Sequence, residues 1–138
     1  MAFWWTDDVQ IDIRYQSKHL IRGIITPLDK STVWAASFVY APPQQSLRKA
    51  FWSLFKKVAS KSHYPWLCIG DFNEIGAQSE KYGGAHCRLS QLQAFQELLS
   101  DCGLMDLEFK GPPYPWSNNQ VGAGNIHERL DRALATVG

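Results

Sequence analysis

The sequence has little of what would place it in a specialised class. Its three cysteines, Cys68, Cys87 and Cys102, are an odd number, and none forms a CxxC pair. A disulfide framework is not expected, and a reducing, intracellular setting (nuclear or cytoplasmic) is. With His63 and His86 these cysteines match no zinc spacing, so buried free thiols are the expectation. No apolar run approaches the ~20 residues of a membrane span, so no membrane partner is expected. Met1 is not followed by a basic stretch and an apolar segment, so no secretory signal is expected. An excess of one charge is missing too: 14 Lys and Arg face 13 Asp and Glu, a net charge of +1. Many nucleic-acid binders are strongly basic, and this chain is not. A nuclease stays open, because an acidic site can offset basic contacts elsewhere. GxGxxG, Walker A and GxSxG sequences are all absent, which removes the usual nucleotide-loop and serine-hydrolase readings.

What is present is ordinary globular material. The 138 residues are 45% hydrophobic and 20% charged. That length suits one domain, and a chain this size buries about 68% of its unfolded surface. Disorder, collagen-like repeats and coiled coil do not fit this composition. Six Trp (Trp4, Trp5, Trp34, Trp52, Trp66 and Trp116) are spread along the chain, which suggests core packing more than one aromatic patch.

The first third reads as strands. Val9, Ile11 and Ile13 alternate with polar residues, the period of a half-buried strand. Runs at His19 to Thr26 and Thr32 to Tyr40 follow, separated by a Pro27-Leu28-Asp29-Lys30-Ser31 turn, and predict an antiparallel meander. Leu47, Phe51, Leu54, Phe55 and Val58 predict an amphipathic helix over Ser46 to Lys61, with Ser46 as N-cap. Trp66-Leu67-Cys68-Ile69 predicts a central strand buried on both faces. Ser90 to Cys102 predicts a second helix, with Gly103 past its end. Short strands are expected at Met105 to Phe109 and from Trp116, a turn at Asn118 to Asn125, and a last strand over His127 to Ala135.

The strongest local signal is Gly70-Asp71-Phe72-Asn73. On an extended segment Asp71 and Asn73 face the same side. Asp71 could ligate a metal or act as general base toward water. Asn73 could hold a phosphate oxygen or that water. The plain alternative is a turn in which both side chains cap their own backbone, and four residues alone favour it. Arg129 and Asp131 share one face of the predicted last strand. Asp131 could orient a histidine, as a triad carboxylate does, against the plainer reading of a surface ion pair worth ~0–1 kcal/mol. Tyr40, at a strand end, could bond a phosphate or be a boundary aromatic with a wet tip. Arg14, Arg22, Arg48, Lys49 and Arg88 are scattered and read as solvated surface charge.

Taken in order, these signals carry a resemblance. Phe38-Val39-Tyr40-Ala41-Pro42-Pro43, a helix, Trp66-Leu67-Cys68-Ile69-Gly70-Asp71-Phe72-Asn73-Glu74, Tyr114-Pro115-Trp116-Ser117-Asn118 and Glu128-Arg129-Leu130-Asp131-Arg132-Ala133-Leu134 resemble the endonuclease/exonuclease/phosphatase family. The nearest look is to the apurinic-like endonuclease domain of plant LINE-type retrotransposons. The resemblance spans the chain from about Asp8 onward. It implies an α/β fold of four layers, two sheets face to face with helices outside. It also implies phosphodiester hydrolysis with Mg²⁺ or Mn²⁺ and, in the intact parent, DNA as partner. Under it Tyr40 contacts the scissile phosphate, Asp71 positions or deprotonates water, Asn73 holds phosphate or water, and Asp131 pairs with a catalytic histidine. Asn118 and Arg129 become candidate substrate contacts.

The pattern is not complete. The family's early Asn and Gln-Glu-Thr-like motif have no counterpart here, nor has its closing Ser-Asp-His. His127 precedes Asp131 and does not replace that histidine. No metal ligand stands out, and Glu74 is only a weak candidate. The expectation is therefore a single, incomplete domain over residues 1–138, inactive by itself, with apolar sheet surface left open. Two other readings remain: a non-catalytic remnant that binds DNA or protein, and the same fold acting on a small phosphomonoester.

Overall fold

A computed structural model describes Met1 and residues 4–61, 63–107 and 110–136. The first three strands are β1 (Val9–Gln16), β2 (Leu20–Pro27) and β3 (Trp34–Tyr40), and they form the expected antiparallel meander. Helix α1 (Gln45–Ala59) crosses over to β4 (Trp66–Asp71), which pairs parallel with β3. After a short β5 (Lys81–Tyr82) come α2 (Leu89–Cys102) and β6 (Leu104–Asp106). β7 (Trp116–Ser117), β8 (His127–Glu128) and β9 (Asp131–Thr136) close the order. One sheet runs β1-β2-β3-β4-β9-β6, and a small second sheet runs β5-β8-β7.

The helices cover one face of the large sheet. Strand alternation sends Leu20, Ile24, Ala35, Val39, Cys68 and Leu134 to that face, where they pack with Phe51, Phe55, Val58, Phe95 and Leu98. Ring contacts continue through Trp52, Phe55, Phe72 and Phe95 at centroid distances of 5.8 to 6.3 Å. Of the four layers that the resemblance implies, the described residues build a large sheet with its helices and the three short strands of a second sheet. No helix among them is long and apolar enough to cross a membrane.

Several expectations shift. Ser46 lies inside α1, whose N-cap is Gln44 without a side-chain cap bond, and Lys61 lies beyond the helix. β4 is buried on one face only, since Ile69 is 42% exposed. The last strand is broken at Arg129 and Leu130, so Arg129 belongs to neither β8 nor β9. Trp66 is buried, but Trp4, Trp5 and Trp116 are exposed, so the tryptophans are not one core set. The expected end of β6 at Phe109 lies outside the described residues. The Gly103 ending holds: its φ is +64° and its N–H bonds back to Ser100.

Candidate active site

The parallel pairing of β3 and β4 sets Tyr40 beside Asp71, and the antiparallel pairing of β4 and β9 sets Asp71 beside Asp131. Directly opposed residues share a face, so the three form a polar row across neighbouring strand ends. The row lies on the face that the helices leave open, continuing the lines Phe38–Tyr40, Ile69–Asp71 and Ala133–Asp131.

Local chemistry explains the bend that follows. Gly70 has φ +145°, and a Cβ there would sit 1.9 Å from the Val39 carbonyl oxygen, so only glycine fits. Phe72 is fully buried and anchors the segment in the aromatic core. Between these fixed points the Asn73 N–H donates to Asp71 Oδ1 at 2.8 Å, an Asx turn. Asn73 takes φ +51°, a left-handed conformation that Asn tolerates. Its Nδ2 donates to the Ala41 carbonyl at 2.6 Å, and the Ala41 N–H donates to the Asp71 carbonyl at 2.8 Å. The turn is therefore real, and Asn73 is not extended as the sequence pattern suggested. It also holds the Asp71 carboxylate at the cleft wall.

Burial raises the Asp71 pKa above the ordinary carboxylate value. The Asn73 N–H opposes that shift, the nearby Asp131 charge adds to it, and Arg48 opposes it. A carboxylate shifted this way has a higher affinity for a proton, the direction a general base needs. Tyr40 is 46% exposed. His19 stacks on its ring at 6.3 Å and bonds its carbonyl through Nδ1 at 2.7 Å. Asp131 is exposed, and no histidine among the described residues hydrogen-bonds to it.

Tyr40, Asp71 and Asn73 line a cleft of about 610 Å³. Its other wall brings Lys81, His86, Arg88 and Trp116. Sequence reading placed Trp116 in the core, Arg88 among solvated charges and His86 among failed zinc ligands. Trp116 instead faces this cleft from the small sheet; Arg88 is exposed as expected, and it and His86 line the cleft from the loop after β5.

Three other candidates are engaged in contacts that brace the fold. Glu74 is buried, with Oε1 accepting from Arg48 Nε at 2.6 Å and Oε2 from Gln91 Nε2 at 2.9 Å. Both oxygens are thus engaged, and Arg48 further ties down the Pro43 carbonyl at 2.7 Å. Arg129 pairs with Glu80 at 3.2 Å and Asp106 at 2.7 Å, not with Asp131. Beside it Arg132, with a side chain 1% exposed, pairs with the same Glu80 and with Asp106 at 2.8 Å. Asn118 Oδ1 accepts from the Ile126 N–H at 3.0 Å, and its Nδ2 donates to the Gly124 carbonyl at 2.8 Å. These side chains brace the fold around the cleft, and of the three candidates only Glu74 also lines it. No group of three or more His, Cys, Asp or Glu that could hold a metal exists among the described residues. With Glu74 engaged, these side chains alone do not fit a divalent-metal site.

No protein-family model matches the sequence. No curated protein matches it either. The fold does match solved structures. The endonuclease domain of TRAS1, a telomere-specific non-LTR retrotransposon, superposes with a TM-score of 0.72 at 14% identity, over 96% of this chain and 57% of that one. The 3′ phosphatase NExo from Neisseria, bound to a product DNA hairpin, gives 0.62 at 20% identity, over 94% of this chain and 58% of that one. The chain thus has the endonuclease/exonuclease/phosphatase type of α/β fold, and it spans less than three fifths of either matched structure.

Proposed function

We propose that the cleft is part of the active site of a retrotransposon-type nuclease that hydrolyses DNA phosphodiesters by attack of an activated water. The observation that carries this reading is the Tyr40–Asp71–Asp131 row across the strand ends, of which Tyr40 and Asp71 line the cleft beside Asn73. Asp71 accepts the proton of the water. Asn73 positions the phosphate or the water through its remaining carboxamide capacity, Tyr40 contacts the phosphate, and Asp131 orients a histidine. On the facing wall the exposed Arg88 offers a cation to the DNA backbone, and Lys81, which pairs with Glu128 at 3.5 Å, adds a second by leaving that pair. Mg²⁺ or Mn²⁺, implied by the resemblance, supplies charge stabilisation on phosphate oxygens when bound. The described residues supply neither a cluster of ligands for it nor a histidine at Asp131, so the chain by itself is expected to nick DNA poorly or not at all. The spans of 57% and 58% support that reading.

The test has two arms. In the first, fluorescence anisotropy follows duplex DNA with the wild-type chain and with a Lys81→Ala, Arg88→Ala double variant. Salt-dependent binding that weakens at least tenfold in the variant is expected, and binding indifferent to it overturns the assignment of the cleft. In the second, supercoiled plasmid is incubated with Mg²⁺. Robust nicking that disappears in Asp71→Ala would sink the inactive part and keep the nuclease. A second reading, hydrolysis of a phosphomonoester, draws on the neighbour named a 3′ phosphatase. Release of phosphate from a DNA 3′ end, without nicking, would favour it. The remnant-module reading gains if DNA binds while Asp71→Ala changes nothing.

A further inference from the structure

Asp71 and Tyr40 stand side by side in the polar row, but different parts of the molecule hold them. Asp71 is fixed by the Asn73 turn that follows it. Tyr40 ends β3 and is 46% exposed, and no side chain among the described residues hydrogen-bonds its hydroxyl. Several staggered orientations are open to a phenol in that position, and a ligand that needs one of them must order it.

His19 engages Tyr40 through its backbone, a ring nitrogen and its ring face. Leu20 opposes Val39 in the β2–β3 ladder, and one step further on the Tyr40 N–H donates to the His19 carbonyl at 2.9 Å. The imidazole turns back on the same residue, with Nδ1 2.7 Å from the Tyr40 carbonyl oxygen. A carbonyl only accepts, so Nδ1 carries the hydrogen. The ring lies over the phenol, with centroids 6.3 Å apart and planes 22° from parallel. Its other neighbour is the buried Phe51 of α1, edge-on at 5.9 Å. His19 is itself anchored: Ser17 Oγ accepts from the His19 N–H at 3.2 Å and from the Leu20 N–H at 3.1 Å, and the Ser17 N–H donates to the Leu20 carbonyl at 2.8 Å. These bonds close the turn between β1 and β2. Any aromatic ring makes a stack; the Nδ1 bond to the carbonyl of the residue stacked upon ties this imidazole to one place over that phenol.

We infer that His19 is a positioning residue: held between Phe51 and Tyr40, it keeps the phenol in one orientation at the cleft, so that a DNA phosphate meets it already ordered. The inference rests on the reading of Tyr40 as a phosphate contact in that cleft. His19 does not line the cleft, so it acts through Tyr40, which does. Ordering one such side chain before binding is worth about threefold to tenfold in affinity.

Nuclear magnetic resonance on the full chain with ring-labelled tyrosine, and duplex DNA binding followed by anisotropy, test this together. The Tyr40 ring signals, assigned with Tyr40→Phe, are expected to move toward those of free tyrosine in His19→Ala, and DNA binding to weaken about threefold to tenfold. His19→Phe keeps a ring over the phenol and is expected to recover most of that binding. In a Tyr40→Ala background His19→Ala is expected to change binding no further, a non-additivity that a merely structural histidine does not produce. Where His19→Ala does not fold, His19→Asn takes its place, since it offers a donor to the Tyr40 carbonyl without the stack, and the same loss is expected. Equal losses from His19→Ala with and without Tyr40 overturn the proposal, and so do Tyr40 signals that His19→Ala leaves in place. Binding that weakens in Tyr40→Ala but not in His19→Ala overturns the positioning role alone. A chain that binds no DNA, or binds it regardless of Tyr40→Ala, fails the reading of Tyr40 itself, and the proposal falls with it.

Discussion

The two faces of the large sheet are built from the same strands yet differ in what covers them. On one, Leu20, Ala35, Cys68 and Leu134 disappear completely beneath α1 and α2. On the other, Val9, Ile11, Ile25, Trp34, Phe38, Leu67 and Ile69 line a shallow apolar groove with Trp5 at its side. Toward β9 and β6 that second face lies open, with Ile69 at 42% and Met105 at 57% exposure. The composition of the two faces is alike, so the difference is one of cover and not of sequence. A polar row, Tyr40, Asp71 and Asp131, ends the open face. The proposed site therefore sits where an apolar surface stops, beside the turn that the core pins through Phe72.

The comparison breaks most severely at the covered face. Phe55→Ala removes a fully buried ring at the centre of the helix–sheet contact. A loss of about 3–5 kcal/mol is expected, read by urea unfolding. Arg132→Met is expected to cost a similar ~3–5 kcal/mol, because it leaves Glu80 and Asp106 facing each other without their buried cation. A loss below ~1 kcal/mol would show that Arg129 alone can hold the acids.

Gly70→Ala comes next. Its Cβ meets backbone, not a flexible side chain, at an unfavourable φ. A cost of about 1–3 kcal/mol is expected, together with loss of the Asx turn that holds Asp71. Thermal unfolding and DNA binding should fall together. A variant that folds normally but does not bind would separate the turn from the core.

Acid should act on the brace before it acts on the core. Burial pushes the Glu80 carboxyl up, but hydrogen bonds from Arg132 and Gly76 and the charges of Arg132 and Arg129 outweigh it. The folded pKa therefore lies below the unfolded value. The stability this group contributes is present above the unfolded pKa and is lost as pH falls through the folded one. Asp71 has the opposite sign: its raised folded pKa costs stability above the unfolded value, and protonation relieves it. Stability measured down through the carboxylate range should fall less steeply in Glu80→Gln than in wild type.

These predictions also divide what sequence could reveal from what it could not. The meander, both helices and the Gly70-to-Asn73 turn follow from local rules of alternation, helical spacing and backbone freedom. The Arg132–Glu80 pair spans 52 positions and unites a broken strand with a short 3₁₀ segment, so no local pattern announces it. Arg129 looked like a partner of Asp131 because an unbroken strand was assumed. Lys81, His86, Arg88 and Trp116 reach the cleft only through the small sheet and its loop, whose two-residue strands carry too little periodicity to read. Glu74 looked free as a ligand because Arg48 reaches it from a helix 26 residues away.

The smallest expected change in stability is the sharpest test of the two faces. Ile69 and Cys68 are neighbours on β4 and point to opposite sides. Ile69→Thr keeps a β-branched side chain and, on the open face, should alter stability by no more than about 0.5 kcal/mol. It should nevertheless reduce binding of a dye that reports exposed apolar surface, and reduce aggregation on concentration, because it interrupts the Leu67–Ile69–Phe38 patch. If Ile69→Thr instead unfolds the chain as a core substitution does, the open face is covered in solution. Dye binding would then already be low in the wild type, and the mass of the particle in solution would tell whether a second copy supplies the cover.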